Sequence, residues 1–172
     1  MIAFLKRNYT PIGIDIGARV VKLVQLSADG NRILESGRWD LPLDAQPNSP
    51  DFAGHVIQAL KQARDGKRFR GRDAVVCMSP RQYLVQNVRV PKGEPFQIEQ
   101  AARQECQTRL PFPPQEAELR FIESVDVRQT DGIKREVIVL AVHRPVLDQM
   151  LSVVEDAGYL PVAVEVEPTA LL

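Results

Sequence analysis

Short apolar runs separated by turn residues dominate the first part of the chain, which is the pattern of a small sheet. Gly17 separates the first two runs, and the Asp29-Gly30 dipeptide, a strong hairpin signal, separates the second run from the third. The sequence therefore predicts a three-stranded antiparallel meander. Its strands are expected at residues 12–16, 19–27 and 32–41.

A helix and one further strand are predicted to follow the meander. Residues 42–50 contain three prolines and indicate a loop. At its end, Ser49-Pro50 is typical of a helix start, because Ser caps well and Pro suits the first helical position. The helix is expected to end near Arg64 and to be followed by a buried strand at residues 73–78. Its predicted buried face consists of Phe52, Val56, Leu60 and Ala63.

The rest of the chain has the predicted element order β-α-β-β-α-β, with a hairpin turn at Asp131-Gly132 and a helix C-cap at Gly158. This order is typical of a ferredoxin-like unit, in which one antiparallel sheet carries two helices on one face. In the alternative arrangement, the last strand leaves this unit and joins the first sheet. The predicted strands are residues 82–90, 117–127, 135–142 and 160–166, and the helices are residues 96–109 and 146–157.

Composition disfavours several classes of protein. The 172 residues are 44% hydrophobic and 26% charged, and 22 basic side chains balance 22 acidic ones, so there is no global field for a polyanion. The longest strongly apolar stretch, residues 137–142, is far short of the roughly 20 residues that span a bilayer. Cys77 and Cys106 form no C-x-x-C motif and are expected to be reduced thiols.

Two charged segments have an open interpretation. Residues 1–7 are an apolar cluster followed by cations, which suits either a membrane-surface contact or a frayed terminus. Residues 61–72 carry six cations, broken by Gly66 and Gly71, with Phe69 as the one aromatic. Because cations are also common after a helix, the sequence favours a solvated loop over a nucleic-acid contact, and no nucleic-acid partner is predicted.

The candidate chemistry lies at the first turn. Asp15 ends one predicted strand, Gly17 turns the chain, and Lys22 lies on the next strand. A tight turn of this kind directs backbone N–H groups into a concavity that holds phosphate oxygens, while an Asp can order the water shell of Mg²⁺ and a Lys can approach phosphate. Asp and Gly are also common in turns without any ligand, so the pattern alone leaves both interpretations open.

The same residues carry a resemblance to the PilM-like family of type IV pilus assembly proteins, within the actin-like ATPase superfamily. It extends from about residue 11 to the end of the chain. The segments that resemble the family are Gly13-Ile-Asp-Ile-Gly, Val21-Lys-Leu-Val-Gln-Leu, Ile98-Glu-Gln-Ala-Ala-Arg-Gln-Glu, Leu110-Pro-Phe-Pro, Val137-Ile-Val-Leu-Ala-Val-His-Arg, Ala157-Gly-Tyr and Val164-Glu-Val-Glu-Pro.

The resemblance implies a mixed α/β (α+β) fold and a domain division. Residues 1–80 would be an actin-like, ribonuclease H-like subdomain that carries the first phosphate loop. Residues 81–160 would be an inserted ferredoxin-like subdomain of the kind found in the cell-division protein FtsA. Residues 161–172 would return toward the first subdomain. The second phosphate loop and the adenine-contacting segment of an actin-like protein would lie beyond Leu172, so the chain corresponds to the first lobe.

The resemblance also implies a function. PilM-like proteins bind ATP and Mg²⁺ between two lobes and dock the cytoplasmic tail of the membrane protein PilN, which places them on the cytoplasmic side of the inner membrane together with other pilus assembly platform proteins. The resemblance also allows self-association. Carried onto this chain, the phosphate-binding set is Asp15, Gly17, Ala18, Arg19 and Lys22, with Asp15 meeting Mg²⁺ through water.

Ala18 and Arg19 depart from the small hydroxyl residues usual in the family's loop, so Arg19 would either attract phosphate or block it. The chain alone is expected to bind nucleotide poorly and to hydrolyse none, and no catalytic residue is predicted. Two alternatives stay open: an ATP-dependent kinase of the same superfamily, and the cytoplasmic domain of a type II secretion L-type component.

Overall fold

The computed structural model describes residues 7–47, 49–130 and 132–166. Three sequence-based expectations therefore fall wholly or partly outside the described residues: the N-terminal membrane contact at residues 1–7, the part of the Asp131-Gly132 turn at Asp131, and the return segment beyond Val166. The chain divides into two compact units. Unit 2 is Pro80–Asp148, and unit 1 is the remainder.

Eight strands and three α-helices occupy the described residues. In chain order they are β1 (Ile12–Ile16), β2 (Val20–Leu26), β3 (Ile33–Asp40), α1 (Phe52–Gly66), β4 (Asp73–Met78), β5 (Tyr83–Pro91), α2 (Pro95–Gln107), β6 (Ala117–Gln129), β7 (Gly132–His143), α3 (Arg144–Asp156) and β8 (Leu160–Val166).

Unit 1 contains a five-stranded sheet in the order β3-β2-β1-β4-β8. Strands β1, β2 and β3 are antiparallel neighbours, which confirms the predicted meander, whereas β4 is parallel to both β1 and β8. Buried and exposed residues alternate along β2, which is why the sequence pattern predicted this strand. Val21, Leu23 and Gln25 are buried, while Lys22 and Val24 between them are exposed.

Helix α1 buries the face that its spacing predicts. Val56, Leu60 and Ala63 are buried, and Phe52 at the start of the helix is half-buried. The helix begins at Phe52 with Asp51 as N-cap, so the expected start at Ser49-Pro50 is two residues too early. The physical reason is a turn before the helix, in which the Phe52 N–H donates to the Ser49 carbonyl at 3.2 Å.

Unit 2 contains a three-stranded antiparallel sheet in the order β5-β7-β6, with α2 packed on one face. Pro95 occupies the first turn of α2, and Glu94 and Gln97 form a capping box that satisfies the N–H groups of the N-cap and N3 residues. The residues buried between helix and sheet are Val88, Val90, Ile98, Ala102, Cys106, Ala117, Leu119, Val137, Val139 and Ala141.

The expected four-stranded ferredoxin-like sheet needs correction. The element order β-α-β-β-α-β is present along the chain, but β8 pairs in parallel with β4 in unit 1 rather than with a strand of unit 2. The last strand therefore follows the alternative arrangement, and the sheet of unit 2 has three strands and α2.

Contacts after α3 explain this placement. Gly158 has a φ of 89° and closes the helix with a Schellman pair, in which the Gly158 N–H donates to Glu155 and the Tyr159 N–H to Val154. Tyr159 is then buried in unit 1, where its hydroxyl donates to the Leu60 carbonyl at 3.1 Å. The chain is thus anchored beside α1 immediately before β8 begins. None of the described helices is long and apolar enough to cross a bilayer.

Candidate functional site

Asp15 and Lys22 are direct neighbours across the first hairpin. They occupy paired positions on the antiparallel strands β1 and β2, so their side chains lie on the same face of the sheet. The Lys22 ammonium donates to Asp15 Oδ2 at 3.0 Å, and both side chains are about half exposed. The structure thus brings together the carboxylate and the cation that the sequence analysis singled out.

The turn between these strands leaves two backbone donors available. The Gly17 N–H is used internally, since it donates to the Val20 carbonyl at 2.9 Å. The N–H groups of Ala18 and Arg19 have no acceptor in the described part of the chain. Both residues are exposed, so these donors can reach an anion from solvent.

Gly17 is also a position of close approach. A Cβ there would lie 3.1 Å from the Val20 carbonyl oxygen, which is tighter than ordinary van der Waals contact. A side chain would press on the hydrogen bond that closes the turn. The absence of a side chain is therefore what allows this tight geometry.

Arg19 is bound to the segment that follows β3. Its guanidinium donates to the Leu43 carbonyl, and its own carbonyl accepts the Leu41 N–H at 2.9 Å. The cation is thus held by the chain itself, in a position distinct from the Asp15–Lys22 pair. This geometry shows how the Arg19 side chain is accommodated beside the turn.

Together these residues provide anion chemistry at one end of the sheet. Two free N–H groups and an ammonium can donate to phosphate oxygens, and one carboxylate can accept from metal-bound water. No group of three potential metal-ligating side chains occurs among the described residues. Phosphate binding at Asp15, Gly17, Ala18, Arg19 and Lys22 stays a prediction that this geometry permits.

A second candidate surface lies in unit 2, on the sheet face opposite α2. Val85, Ile122, Ile138 and Leu140, here named the apolar strip, occupy adjacent positions on β5, β6 and β7. Val85 is 52% exposed and Ile122 is 43% exposed, and the other two are half-buried. Because removing apolar surface from water lowers the free energy, the strip can bind an apolar segment of a partner.

Sequence reasoning missed one structural residue of β2, Gln25, which lies toward the end of the strand away from the turn. It is fully buried on β2, and its amide bonds the backbone of Thr10 and of Arg70. The signal was present, since Gln25 follows Val21 and Leu23 at the inward positions of an alternating strand. A polar residue at such a position indicates a buried hydrogen-bond network.

Comparison with known proteins identifies the family. The sequence profile described as "Type IV pilus assembly protein PilM" matches residues 13–171. The chain belongs to the PilM family. No curated protein sequence matches it significantly. The resemblance noted from the segments between Gly13 and Val164 is therefore confirmed.

Two solved structures share the fold of this chain. The chain superimposes on a chain of the PilM-PilN type IV pilus biogenesis complex with a TM-score of 0.78 and 26% identity, covering 93% of this chain and 48% of that one. The cytoplasmic domain of EpsL, an inner membrane component of the Vibrio cholerae type II secretion system, gives 0.60 and 14%, with 90% and 56% covered.

A third solved structure is a Bacteroides thetaiotaomicron protein of unknown function with an actin-like ATPase fold. It gives a TM-score of 0.47 and 10% identity, with 99% of this chain and 57% of that chain covered. The chain spans about half the length of these structural relatives. The expected mixed α+β fold of the PilM type is confirmed.

Proposed function

We propose that this PilM-family chain is part of a scaffold in the inner-membrane assembly platform of a type IV pilus. In this role it binds the cytoplasmic tail of a PilN-like membrane protein and is held at the membrane by that partner. The observation that supports the proposal most strongly is the match of 93% of the chain, at a TM-score of 0.78, to the PilM-PilN complex.

The proposal assigns nucleotide to the complete two-lobed protein. Magnesium ATP would place its phosphates at the first turn, where Ala18 and Arg19 offer free N–H groups and Lys22 offers a cation. Asp15 would then exchange its contact with Lys22 for the water shell of the metal ion. The nucleotide acts as a conformational ligand of the scaffold, and no catalytic residue is assigned.

The partner's tail would cover the apolar strip of unit 2. An extended segment can add to a sheet through main-chain hydrogen bonds and place its own side chains in shallow apolar sites. In the three-stranded sheet, β5 and β6 are both edge strands, and each carries one of the most exposed apolar side chains of the strip, Val85 or Ile122. The strip therefore combines apolar surface with two sheet edges.

A type II secretion component is the second candidate, because the EpsL cytoplasmic domain shares the fold at a TM-score of 0.60. At 14% identity this likeness concerns the fold alone. The kinase alternative has no comparable support, since the described residues include no group assigned to phosphoryl transfer.

Peptide binding tests the proposal directly. A fluorescent peptide with the tail sequence of the PilN-like protein from the same organism is titrated with the chain, and a scrambled peptide is the control. The double variant Val85→Ser/Ile122→Ser is expected to raise the Kd roughly tenfold, because each change removes apolar area that the peptide would bury. Val24→Ser is the matched control, since Val24 is an exposed strand valine in unit 1.

The outcomes separate the two parts of the proposal. If the native peptide binds no better than the scrambled one, the chain does not dock a PilN-like tail by itself. If the native peptide binds and the double variant binds equally well, the tail docks elsewhere and the assignment to the apolar strip is wrong. Preference for the tail of a type II secretion partner would favour the second candidate.

A further inference from the structure

The loop between α1 and β4, residues 67–72, runs along one end of the sheet in unit 1. The Arg68 N–H donates to Glu35 on edge strand β3 at 3.0 Å, and the Arg70 N–H donates to Gln25 on β2 at 2.8 Å. At its far end, the Arg72 carbonyl accepts the Leu160 N–H at the start of the other edge strand, β8. The loop thus crosses the whole width of the five-stranded sheet.

This backbone is fixed rather than merely solvated. The Gln25 side chain is fully buried and also donates to the Arg70 carbonyl at 2.8 Å, so it bonds that residue in both directions. Gly71 has a φ of 72°, and a Cβ there would lie 3.2 Å from the Tyr9 hydroxyl. Because buried polar groups and a left-handed glycine hold the main chain, the side chains of the loop extend from a defined platform.

The cations on this platform are largely unpaired. Arg68, Arg70 and Arg72 are exposed, and so is Arg32, which ends the adjacent β2–β3 hairpin. None of the four guanidinium groups pairs with a carboxylate that the structure describes. These four residues are here named the cationic rim.

Several carboxylates at this end of the five-stranded sheet already have hydrogen-bond or ion-pair partners. Glu35 accepts backbone N–H groups and pairs with Lys67, and these contacts hold the pKa of its carboxyl below the usual range. Asp73 pairs with Arg7. Asp29 accepts from Ser27 and Asn31. Among the described acids at this end, Asp29 and the two acids in the last turn of α3, Glu155 and Asp156, have no cationic partner. The four unpaired arginines of the rim therefore outnumber the three unpaired carboxylates at this end, although the whole chain is neutral.

We infer that the cationic rim is a contact site for an anionic lipid surface. Five strands at about 4.8 Å spacing give the sheet end a width of roughly 20 Å, so the rim forms a row rather than a pocket. A row of fixed cations can contact a broad negative surface along its whole length, and the negative surface potential of the lipids attracts each Arg. Nucleic-acid recognition commonly adds stacking aromatics, whereas Phe69, the aromatic of the loop, is half-buried.

The location is compatible with the candidate phosphate turn. The rim lies at the end of the sheet where β1 begins, and the turn at Gly17 follows the end where β1 finishes. Lipid contact through the rim would therefore leave the turn accessible. The inference is independent of the proposed function, since it requires neither a PilN-like partner nor nucleotide.

Vesicle flotation tests this inference with the 172-residue chain alone. We expect flotation with vesicles of mixed phosphatidylcholine and phosphatidylglycerol, little with phosphatidylcholine alone, and loss of flotation at high salt. The variant Arg68→Gln/Arg70→Gln/Arg72→Gln should lower the partition coefficient by on the order of a hundredfold, because each of the three cations contributes a factor of about five.

The matched control removes the same charge elsewhere. The variant Arg81→Gln/Arg120→Gln/Arg128→Gln changes three exposed arginines of unit 2 and should retain vesicle binding. Equal loss in both variants would show a response to net charge and overturn the rim assignment. Equal binding to neutral vesicles, or no binding to either kind, would overturn it as well. If the chain binds a short nucleic-acid duplex and not the vesicles, the lipid assignment is wrong.

Discussion

Gln25 and Arg70 form a reciprocal pair, in which the Gln25 amide donates to the Arg70 carbonyl and accepts the Arg70 N–H, each at 2.8 Å. The amide also donates to the Thr10 carbonyl at 2.9 Å. One buried side chain thereby satisfies backbone groups of two separate segments. It acts as the strand-like partner that residues 67–72 would otherwise lack.

Replacing Gln25 should therefore destabilise unit 1. The variant Gln25→Ala leaves the Arg70 N–H and two carbonyls without this partner in a partly buried site, and we expect the free energy of unfolding to fall by about 2–4 kcal/mol. Urea denaturation measures this change, and hydrogen exchange should show faster exchange of the Arg68 and Arg70 amides. Gln58→Ala is the matched control, since Gln58 is exposed on α1. Equal stability of the two variants would contradict the role of the pair.

Tyr159 predicts a specific response to alkaline pH. Its side chain is buried beside α1, and this desolvation raises the pKa of Tyr159 to about 12 from the ordinary value of 10.0. The folded chain thus keeps the phenol protonated in a range where the unfolded chain ionises it. The contribution of the buried phenol to the free energy of unfolding is fully present below pH 10. It is lost as the pH rises from about 10 to about 12, and the loss is at most roughly 3 kcal/mol.

The variant Tyr159→Phe isolates this contribution. It removes the hydroxyl that donates to the Leu60 carbonyl, so it should cost about 1 kcal/mol at neutral pH. Its stability should then decline less steeply above pH 10 than that of the unmodified chain, as measured by urea denaturation at several pH values. Parallel declines for the two chains would show that Tyr159 does not titrate in this way.

Local periodicity was sufficient to predict much of the fold. The bounds predicted for β4 and β8, residues 73–78 and 160–166, agree with the structure because apolar runs bounded by turn residues define them. The partner of β8 was a different problem. It depends on where Tyr159 and the end of α3 are buried, and no local pattern encodes such a long-range contact.

The candidate site shows the same division. The spacing of Asp15, Gly17 and Lys22 was sufficient to predict a hairpin with a carboxylate on one strand and a cation on the next. The register that pairs Asp15 with Lys22 comes from the structure. The contact of Arg19 with Leu43 was not predictable, because it joins the turn to a loop more than twenty residues away. Three arginines of the cationic rim, Arg68, Arg70 and Arg72, were visible as part of a basic run. Only the structure shows the backbone that holds them and the position of Arg32 beside them.

The Asp15–Lys22 pair provides the sharpest test of the nucleotide proposal. The experiment requires the complete two-lobed protein and calorimetric titration of ATP with and without Mg²⁺. We expect Asp15→Ala to abolish the tightening that Mg²⁺ confers, and Lys22→Ala to weaken binding by on the order of tenfold in both conditions. Both variants should stay folded, because an exposed ion pair contributes at most about 1 kcal/mol.

Asp65→Ala is the matched control, since Asp65 forms an exposed ion pair with Arg64 at the same 3.0 Å. It should leave the affinity for magnesium ATP unchanged. If Asp15→Ala binds magnesium ATP as tightly as the unmodified protein, Asp15 does not contact the metal's water shell. If the folded, complete protein binds no ATP at all, the turn is a structural hairpin, in which the Arg19 guanidinium binds the Leu43 carbonyl instead of a phosphate. The scaffold function would then be independent of nucleotide.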